Sequence, residues 1–414
     1  MIRKFLRKRS SKMPDPVQQN NQSFENAPPW FGPRMSLGYS SQFLFVGLFL
    51  PYFPLWLAAR GLTPFEISTV LSMSLVIRVL ASGQVMTFAD KQKDRANLLT
   101  WLYFGSAACI LFFIPAYSFW TILAVTLLYN LFFNPTLPLL DAITLSGVRR
   151  FDADYGKIRI WGSIVFILAN MGGGVILLGY DREVILYALI AAMFLGAVSA
   201  LALPRIGRKT AYVKSLETEV YRKSLMTNKR FLIVLGAAGL AQASHAFLYG
   251  FGSIYWQAIG MSGTMIGLFW AIGVVAEIIL FQFSKPLLKR VSSTSLIALG
   301  CIGGIIRWAL FPWVEGEILF LLLQILHGLS FGAAHIGLMH YIMESVPEDN
   351  IGAAQGVGYV LGGVVMGIAV FTSGPLYDSV GVYGFWAMAG LCLLGLALLF
   401  FGRNTEEYPD KRTA

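Results

Sequence analysis

The sequence predicts an all-α membrane protein whose twelve transmembrane helices form two six-helix pseudo-symmetric bundles. Three observations support this prediction: an apolar composition, recurring apolar stretches of helix length, and one long basic segment in the middle of the chain. The 414 residues are 56% hydrophobic and only 13% charged, and the mean hydropathy is +0.64. A chain this apolar cannot hide its surface in a water-soluble core, so it requires lipid as its solvent.

The apolar stretches must be helices because every backbone donor and acceptor in hydrocarbon has to be satisfied within its own segment. Each stretch approaches or exceeds the ~20 residues that a helix needs to cross a bilayer. The predicted spans are 37–59, 64–88, 97–115, 119–147, 158–179, 184–203, 231–259, 263–284, 294–313, 317–344, 351–374 and 382–402. They divide the chain into a basic tail (1–35), a first bundle (36–203), a linker (204–230), a second bundle (231–402) and a short tail (403–414).

The positions of the cations predict the orientation. If the chain begins in the cytoplasm, 27 of the 32 Lys and Arg residues lie in cytoplasmic segments, and only Arg60 and Arg182 lie outside. Positive loops stay inside, so both termini are expected to be cytoplasmic. The basic start of the chain is followed by polar residues where a signal peptide needs an apolar core, which predicts an uncleaved tail. The net charge of +10 is therefore assigned to topology and lipid headgroups, and no nucleic-acid partner is expected.

Three cations and two deeply placed acids lie inside the predicted spans. They are the cations Arg78, Arg159 and Arg307 and the acids Asp141 and Glu277. An unpaired charge near the bilayer centre costs ~2.5 to 3.5 kcal/mol, so these residues need partners or water. Structural pairing between helices explains any one of them equally well, but the whole cluster favours a functional cavity between the bundles.

Positions within helical hairpins predict which of these charges meet. Asp141 and Arg159 lie nine residues on either side of position 150, between the fourth and fifth spans, so they share a depth and are expected to pair. Arg307 and His327 flank position 317 in the same way, and Glu277 lies in the same layer. A carboxylate beside a histidine and an arginine can load and release a proton. Glu277, Arg307 and His327 are therefore the predicted proton-coupling group.

Other polar and aromatic residues in the spans fit the wall of a substrate cavity. Asn134 precedes Asp141, Trp161 follows Arg159, and Tyr249 lies one turn after His245. Taken singly, each is more often a packing residue. The spacing of the histidines does not suit a metal-binding helix, which needs ligands three or four residues apart, so neither metal nor cofactor is expected.

Several long motifs carry a resemblance to a known family. They are LFFNPTLPLLDA ending at Ala142, DYGKIRIWGS around Arg159, SHAFLYGFGSIYWQ around His245, GVVAEIILF around Glu277 and QILHG around His327. With these motifs the chain resembles the phenylpropionate permease branch of the major facilitator superfamily, which is itself similar to lactose permease. The resemblance extends over nearly the whole chain after Met35 and implies the major facilitator fold.

The resemblance also implies roles for individual residues. In the lactose permease pattern the acid and arginine that match Asp141 and Arg159 hold the substrate, and the residues that match Glu277, Arg307 and His327 couple protons. A carboxylate and a lysine of that pattern are replaced here by Ser330 and Gln324, so the resemblance does not identify which residue carries the proton. A degenerate form of the family's loop signature places Asp90 and Arg95 at an inner gate.

The function expected from these features is secondary transport of a small organic solute in symport with protons. An aromatic monocarboxylate is the first candidate substrate, and the setting is a bacterial inner membrane with the protein acting as a monomer. Two alternatives remain at this point: a proton-coupled sugar or nucleoside symporter, and a proton antiporter that exports amphipathic compounds. An enzyme is not expected because no His-Glu-x-x-His helix occurs in the sequence, and two dissimilar charge clusters do not suit a channel.

Overall fold

The computed structural model describes residues 26–89, 91–207, 223–347 and 350–403, and no strand occurs among them. Twelve long helices cross the molecule. They are α1 (Phe31–Ala59), α2 (Pro64–Ala89), α3 (Arg95–Ile110), α4 (Phe119–Phe151), α5 (Tyr155–Ile176), α6 (Glu183–Leu201), α7 (Lys229–Ala258), α8 (Gly263–Gln282), α9 (Ser293–Leu310), α10 (Glu317–Ser345), α11 (Ile351–Val380) and α12 (Phe385–Gly402).

Length and hydropathy qualify eleven segments as membrane spans, and the last of these is 52 residues long. That segment contains both α11 and α12, which are joined by a single 3₁₀ turn, Gly381–Gly384. The prediction of twelve transmembrane helices is therefore confirmed. Three helices are irregular near their middle: α4 is interrupted before Thr136, whereas α7 and α10 contain π-helical segments at Leu248–Gly252 and Gly328–Ala333.

Polar side chains fix the helix ends at both membrane surfaces. We call the side on which α1 begins and α12 ends the near side, and the opposite side the far side. On the near side the Arg34 guanidinium donates to the carbonyls of Ala202 and Leu203 at the end of α6. On the far side Arg60 forms an ion pair with Glu183 at 2.8 Å. These contacts tie α1 to α6 at both ends.

The first six helices meet the last six along two main interfaces, α2 with α11 and α5 with α8. Both interfaces are tight on the far side. A Cβ at Gly174 of α5 would collide with the Gly263 carbonyl of α8, and a Cβ at Gly374 of α11 would collide with the Pro64 carbonyl of α2. Glycine permits this approach of backbone to backbone.

The near side is different. No atom lies within 4 Å of a Cβ placed at Gly83 of α2, or at Gly352 and Gly356 of α11. A Cβ at Gly363 of α11 would lie 3.3 Å from Cγ2 of Val79 in α2. Gly356 lies two turns before Gly363, so both glycines are on the face of α11 that is turned toward α2. The two halves are therefore in contact on the far side and diverge on the near side.

Candidate substrate and proton site

A buried arginine organises the polar residues of the last six helices. Arg307 of α9 is 1% exposed. One of its terminal nitrogens donates to Nδ1 of His327 at 3.1 Å and to the Ser330 hydroxyl at 3.1 Å. The other donates to the amide oxygen of Gln324. All three acceptors are on α10, so the arginine binds α9 to α10 through charge-assisted hydrogen bonds.

Glu277 of α8 completes this group. Its Oε2 atom lies 3.6 Å from Nε2 of His327. Small residues allow α8 and α10 to come this close, since a Cβ at Gly273 would lie 3.3 Å from the Cβ of His327, and one at Gly332 would lie 3.6 Å from Cγ of Glu277. The structure thus brings together the three residues that the sequence predicts as one group, Glu277, Arg307 and His327.

His245 joins the same network from α7. It is fully buried, and its Nδ1 lies 3.1 Å from the Gln242 carbonyl, which can only accept. Its Nε2 lies 3.1 Å from the Ser330 hydroxyl, which already accepts from Arg307. In the neutral imidazole with its proton on Nδ1, Nε2 accepts from this hydroxyl. Its place is behind the network rather than on the wall of a cavity.

A cavity between the two halves opens beside this network. It has about 330 Å³ of empty space, and this volume includes some open solvent. Its walls are mainly apolar and aromatic, and its lining includes Leu50, Phe166, Tyr249, Phe269 and Trp270. The polar lining is formed by Arg307, Gln324 and His327.

Two hydrogen-bond donors of this polar lining are unused. Among the described residues, Nε of Arg307 and Nε2 of Gln324 are buried and have no hydrogen-bond partner. Leaving such groups unpaired costs ~1 to 3 kcal/mol each, and more for a charged group. The polar lining therefore has two spare donors, which suit an acceptor-rich or anionic ligand group.

The predicted pair of the first six helices adopts a different geometry. Asp141 of α4 accepts hydrogen bonds from the hydroxyls of Tyr39 and Tyr155, the latter at 3.4 Å. Arg159 interacts electrostatically with Asp141, but its guanidinium carbon lies 4.1 Å from the ring centre of Phe43 and 5.3 Å from that of Tyr39. No ion pair joins Asp141 to Arg159 within 4 Å in the part of the chain that the structure describes.

Arg159 also links the two halves. It acts electrostatically on Glu277 of α8, as does His335 of α10. A cation of the first half and an acid of the second half therefore interact electrostatically across the α5–α8 interface.

The remaining predicted residues lie apart from these groups. Asn134 donates to the backbone carbonyl of Ser74 at 3.2 Å, at the interruption of α4. Trp161 is 50% exposed and, two residues from Arg159, lies on the opposite face of α5. Arg95 begins α3 on the near side, and Asp90 lies outside the described residues.

Sequence reasoning missed the tyrosines that hold Asp141. Tyr155 precedes Arg159 by four residues and so shares its helix face, a signal that was available in the DYGKIRIWGS motif. Tyr39 lies on α1, 102 residues before Asp141, and nothing in its local sequence indicates the contact. Among the described residues, no group of three His, Cys, Asp or Glu side chains is placed to hold a metal ion.

Comparisons with known proteins agree with this architecture. The MFS_1 like family model matches residues 33–388. The chain is 33% identical over 377 residues to the probable 3-phenylpropionic acid transporter of Escherichia coli (strain K12), covering 88% of this chain and 96% of that protein. It is 24% identical over 396 residues to the putative nucleoside transporter YegT of the same organism, covering 88% and 92% of the two chains.

A solved structure shows the same fold. A point mutant of the nucleoside transporter NupG superposes with a TM-score of 0.79 at 18% identity, covering 91% of this chain and 100% of that one. The curated relatives are described as transporters and permeases rather than enzymes. The chain therefore belongs to the MFS_1 like family of the major facilitator transporters, and it is a multi-pass secondary transporter for a small-molecule substrate.

Proposed function

We propose that the protein imports an aromatic monocarboxylate in symport with protons. The observation that carries this proposal is the cavity beside Arg307, where aromatic walls adjoin a polar group with two unused donors. A phenyl ring packs favourably between Phe166, Tyr249 and Trp270. A carboxylate is the ligand group that satisfies both Arg307 and Gln324.

The relatives support this substrate class without deciding it. The 33% identical relative is described as a probable transporter of 3-phenylpropionic acid, an aromatic ring on a short chain that ends in a carboxylate. Two other relatives are described as nucleoside transporters. A nucleoside has no carboxylate, so it leaves the charge of Arg307 without a counter-ion once Glu277 is protonated. The unused donors therefore favour the acid over the nucleoside.

Glu277 and His327 supply the proton chemistry of the proposal. Both lie beside the cavity and away from bulk water, with side chains 20% and 12% exposed. Protonation of Glu277 removes the negative charge next to His327 and Arg307 and leaves Arg307 free to attract an anionic substrate. Release of the proton restores the competing acid. Substrate and proton thus favour each other's binding, which is the thermodynamic basis of symport.

The first six helices contribute a second contact for the substrate in this proposal. Arg159 stands over two aromatic rings and interacts electrostatically with both Asp141 and Glu277. Closing the near side and opening the far side changes the distance between the halves along α5 and α8. In this proposal Arg159 contacts the substrate and also responds to the change in distance between α5 and α8. Tyr39 and Tyr155 hold Asp141 in place through hydrogen bonds.

The proposal also includes the orientation of the protein in its membrane and its oligomeric state. The near side is assigned to the cytoplasm of a bacterial inner membrane, with both termini on that side, because the basic segments then lie inside. The cavity and the network are formed within one chain, so a monomer is sufficient. The structure is then the state that is closed to the outside and open to the cytoplasm.

Uptake by proteoliposomes tests the function directly. Labelled 3-phenylpropionate is offered with and without an inward proton gradient, and uridine and a disaccharide are offered in parallel. Saturable accumulation of the acid that requires the gradient is expected. Accumulation of only uridine or the disaccharide would show that the protein is a nucleoside or sugar symporter. Expulsion of preloaded amphipathic compounds driven by the inward proton gradient would show that it is an antiporter.

A further inference from the structure

Arg78 is the one intramembrane cation that the proposed mechanism does not use. It lies near the middle of α2, eleven residues or about 16 Å from the near-side end of that helix. Its side chain is exposed. Among the described residues it has no hydrogen bond, ion pair or ring contact. A charge at this depth without a partner needs water around it.

The neighbours of Arg78 on α2 show which way its face is turned. Leu71, two turns earlier, lies 3.8 Å from the Cβ position of Gly250 in α7. Ser74, one turn earlier, accepts a hydrogen bond from Asn130 of α4 at 3.1 Å. Residues spaced by four and seven share one face of a helix, so Arg78 lies on the face between α4 and α7.

The lipid-facing side of α2 is elsewhere. Val76 and Leu80 are 42% and 57% exposed, and each is two residues from Arg78, which is a rotation of about 200° around the helix. The exposure of Arg78 therefore comes from the space between the two halves. This space is open on the near side, where α2 and α11 diverge.

The described helices that face Arg78 offer no acid to neutralise it. The segments 351–377 of α11 and 231–258 of α7 contain no Asp or Glu, and α4 contains only Asp141. Asp141 accepts hydrogen bonds from Tyr39 and Tyr155, and no ion pair joins it to Arg78 within 4 Å among the described residues. Closing the near side would enclose Arg78 against helices without a counter-charge, so its neutralising anion must come from outside these helices.

We infer that Arg78 is a second binding station for the substrate carboxylate, in the near-side half of the cavity. Arg307 lies 14 residues, or about 21 Å, from the near-side end of α9, whereas Arg78 lies about 16 Å deep. A carboxylate that leaves Arg307 toward the near side meets Arg78 next. This inference rests on the proposed function, because it takes the transported solute to be a carboxylate.

Cysteine labelling tests the position of Arg78 independently of transport. The native cysteines Cys109, Cys301 and Cys392 are buried, so a thiol introduced by Arg78→Cys is the reactive one. A water-soluble methanethiosulfonate applied from the near side is expected to label it. The matched control is Val76→Cys on the lipid face, which is expected to resist the reagent. Labelling of Val76→Cys but not Arg78→Cys would overturn the inference.

Transport by Arg78→Gln and Arg78→Lys tests the role. Because the station lies beyond the Arg307 pocket, Arg78→Gln is expected to lower the maximal uptake rate ~10-fold while equilibrium binding changes less than ~2-fold. Arg78→Lys keeps the charge and is expected to retain about half of the rate. Equal loss in both variants, with lowered thermal stability, would assign a packing role and overturn the inference.

The same assays separate the two proposals. If the wild-type protein takes up no aromatic monocarboxylate, the proposed function fails and the inference fails with it. If the wild type takes up the acid and Arg78→Gln does so at the wild-type rate, only the inference fails.

Discussion

The guanidinium of Arg307 fixes the position of the proton on His327. It donates to Nδ1 of that histidine at 3.1 Å, and since arginine can only donate, Nδ1 is an acceptor. The proton of the neutral imidazole is therefore on Nε2, which lies 3.6 Å from Oε2 of Glu277. Protonation of His327 breaks its bond to Arg307, whereas protonation of Glu277 does not. Glu277 is consequently the member of the pair that can accept a proton without disturbing the network.

This relationship predicts that Glu277→Gln uncouples transport. The amide imitates the protonated acid, so substrate binding and exchange are expected to continue while accumulation driven by a proton gradient is lost. One proton per substrate supports ~10-fold accumulation for each unit of pH difference, and the variant should only equilibrate. Proteoliposome uptake and counterflow measure both properties. The matched control is Glu315→Gln at an exposed position of the far side, and gradient-driven accumulation by Glu277→Gln would refute the assignment.

A second prediction concerns Arg159, whose guanidinium packs on Phe43 at 4.1 Å. Arg159→Ala removes both the charge and the ring contact and is expected to abolish saturable uptake. Arg159→Lys keeps the charge but loses the planar stacking surface, so KM should rise ~10-fold. Lys157→Ala is the control, since Lys157 is exposed and two residues away on the same helix. Normal uptake by Arg159→Ala would remove Arg159 from the site.

Most of the fold was predictable because a transmembrane helix is encoded locally. Each span is a continuous apolar stretch, so the twelve helices could be recognised without knowledge of their packing. The ends were less predictable. The first helix begins at Phe31 rather than at residue 37, since Arg34 on its first turns binds the end of α6. That contact depends on a neighbour that local hydropathy does not reveal.

The site was predictable only where hairpin geometry fixes depth. Equal distances from a turn indicated that Arg307 and His327 share a level, and the structure places them in contact. The same reasoning could not supply rotation around each helix. It therefore missed that Arg159 turns toward Phe43, that Trp161 turns away, and that His245 lies behind the network.

A third prediction concerns Ser330, whose hydroxyl accepts from Arg307 and donates to His245. Ser330→Ala leaves Nε2 of His245 buried without a donor, and this is expected to cost ~1 to 3 kcal/mol of stability. Thermal unfolding in detergent, followed by tryptophan fluorescence, measures the loss. Ser379→Ala is the control, because the exposed Ser379 hydroxyl bonds only within its own helix, to the Leu376 carbonyl. An unchanged melting temperature for Ser330→Ala would show that water or another group replaces the hydroxyl.

The last prediction concerns the far-side contact between α5 and α8. A Cβ at Gly174 collides with backbone atoms of Gly263, whereas nothing lies within 4 Å of a Cβ at Gly172. Gly174→Trp is therefore expected to separate the halves on the far side, and Gly172→Trp is not. Spin labels at Arg182 and Glu315, one on each half, report the separation by pulsed electron resonance.

The distance between these labels is expected to increase in Gly174→Trp and to stay at the wild-type value in Gly172→Trp. Backbone atoms cannot move aside as a flexible side chain can, so the added ring must displace a whole helix. Gradient-driven uptake should be lost in the same variant, because a transporter held open on the far side cannot release substrate on the near side. Equal distances in the two variants would mean that α5 and α8 do not form the far-side closure.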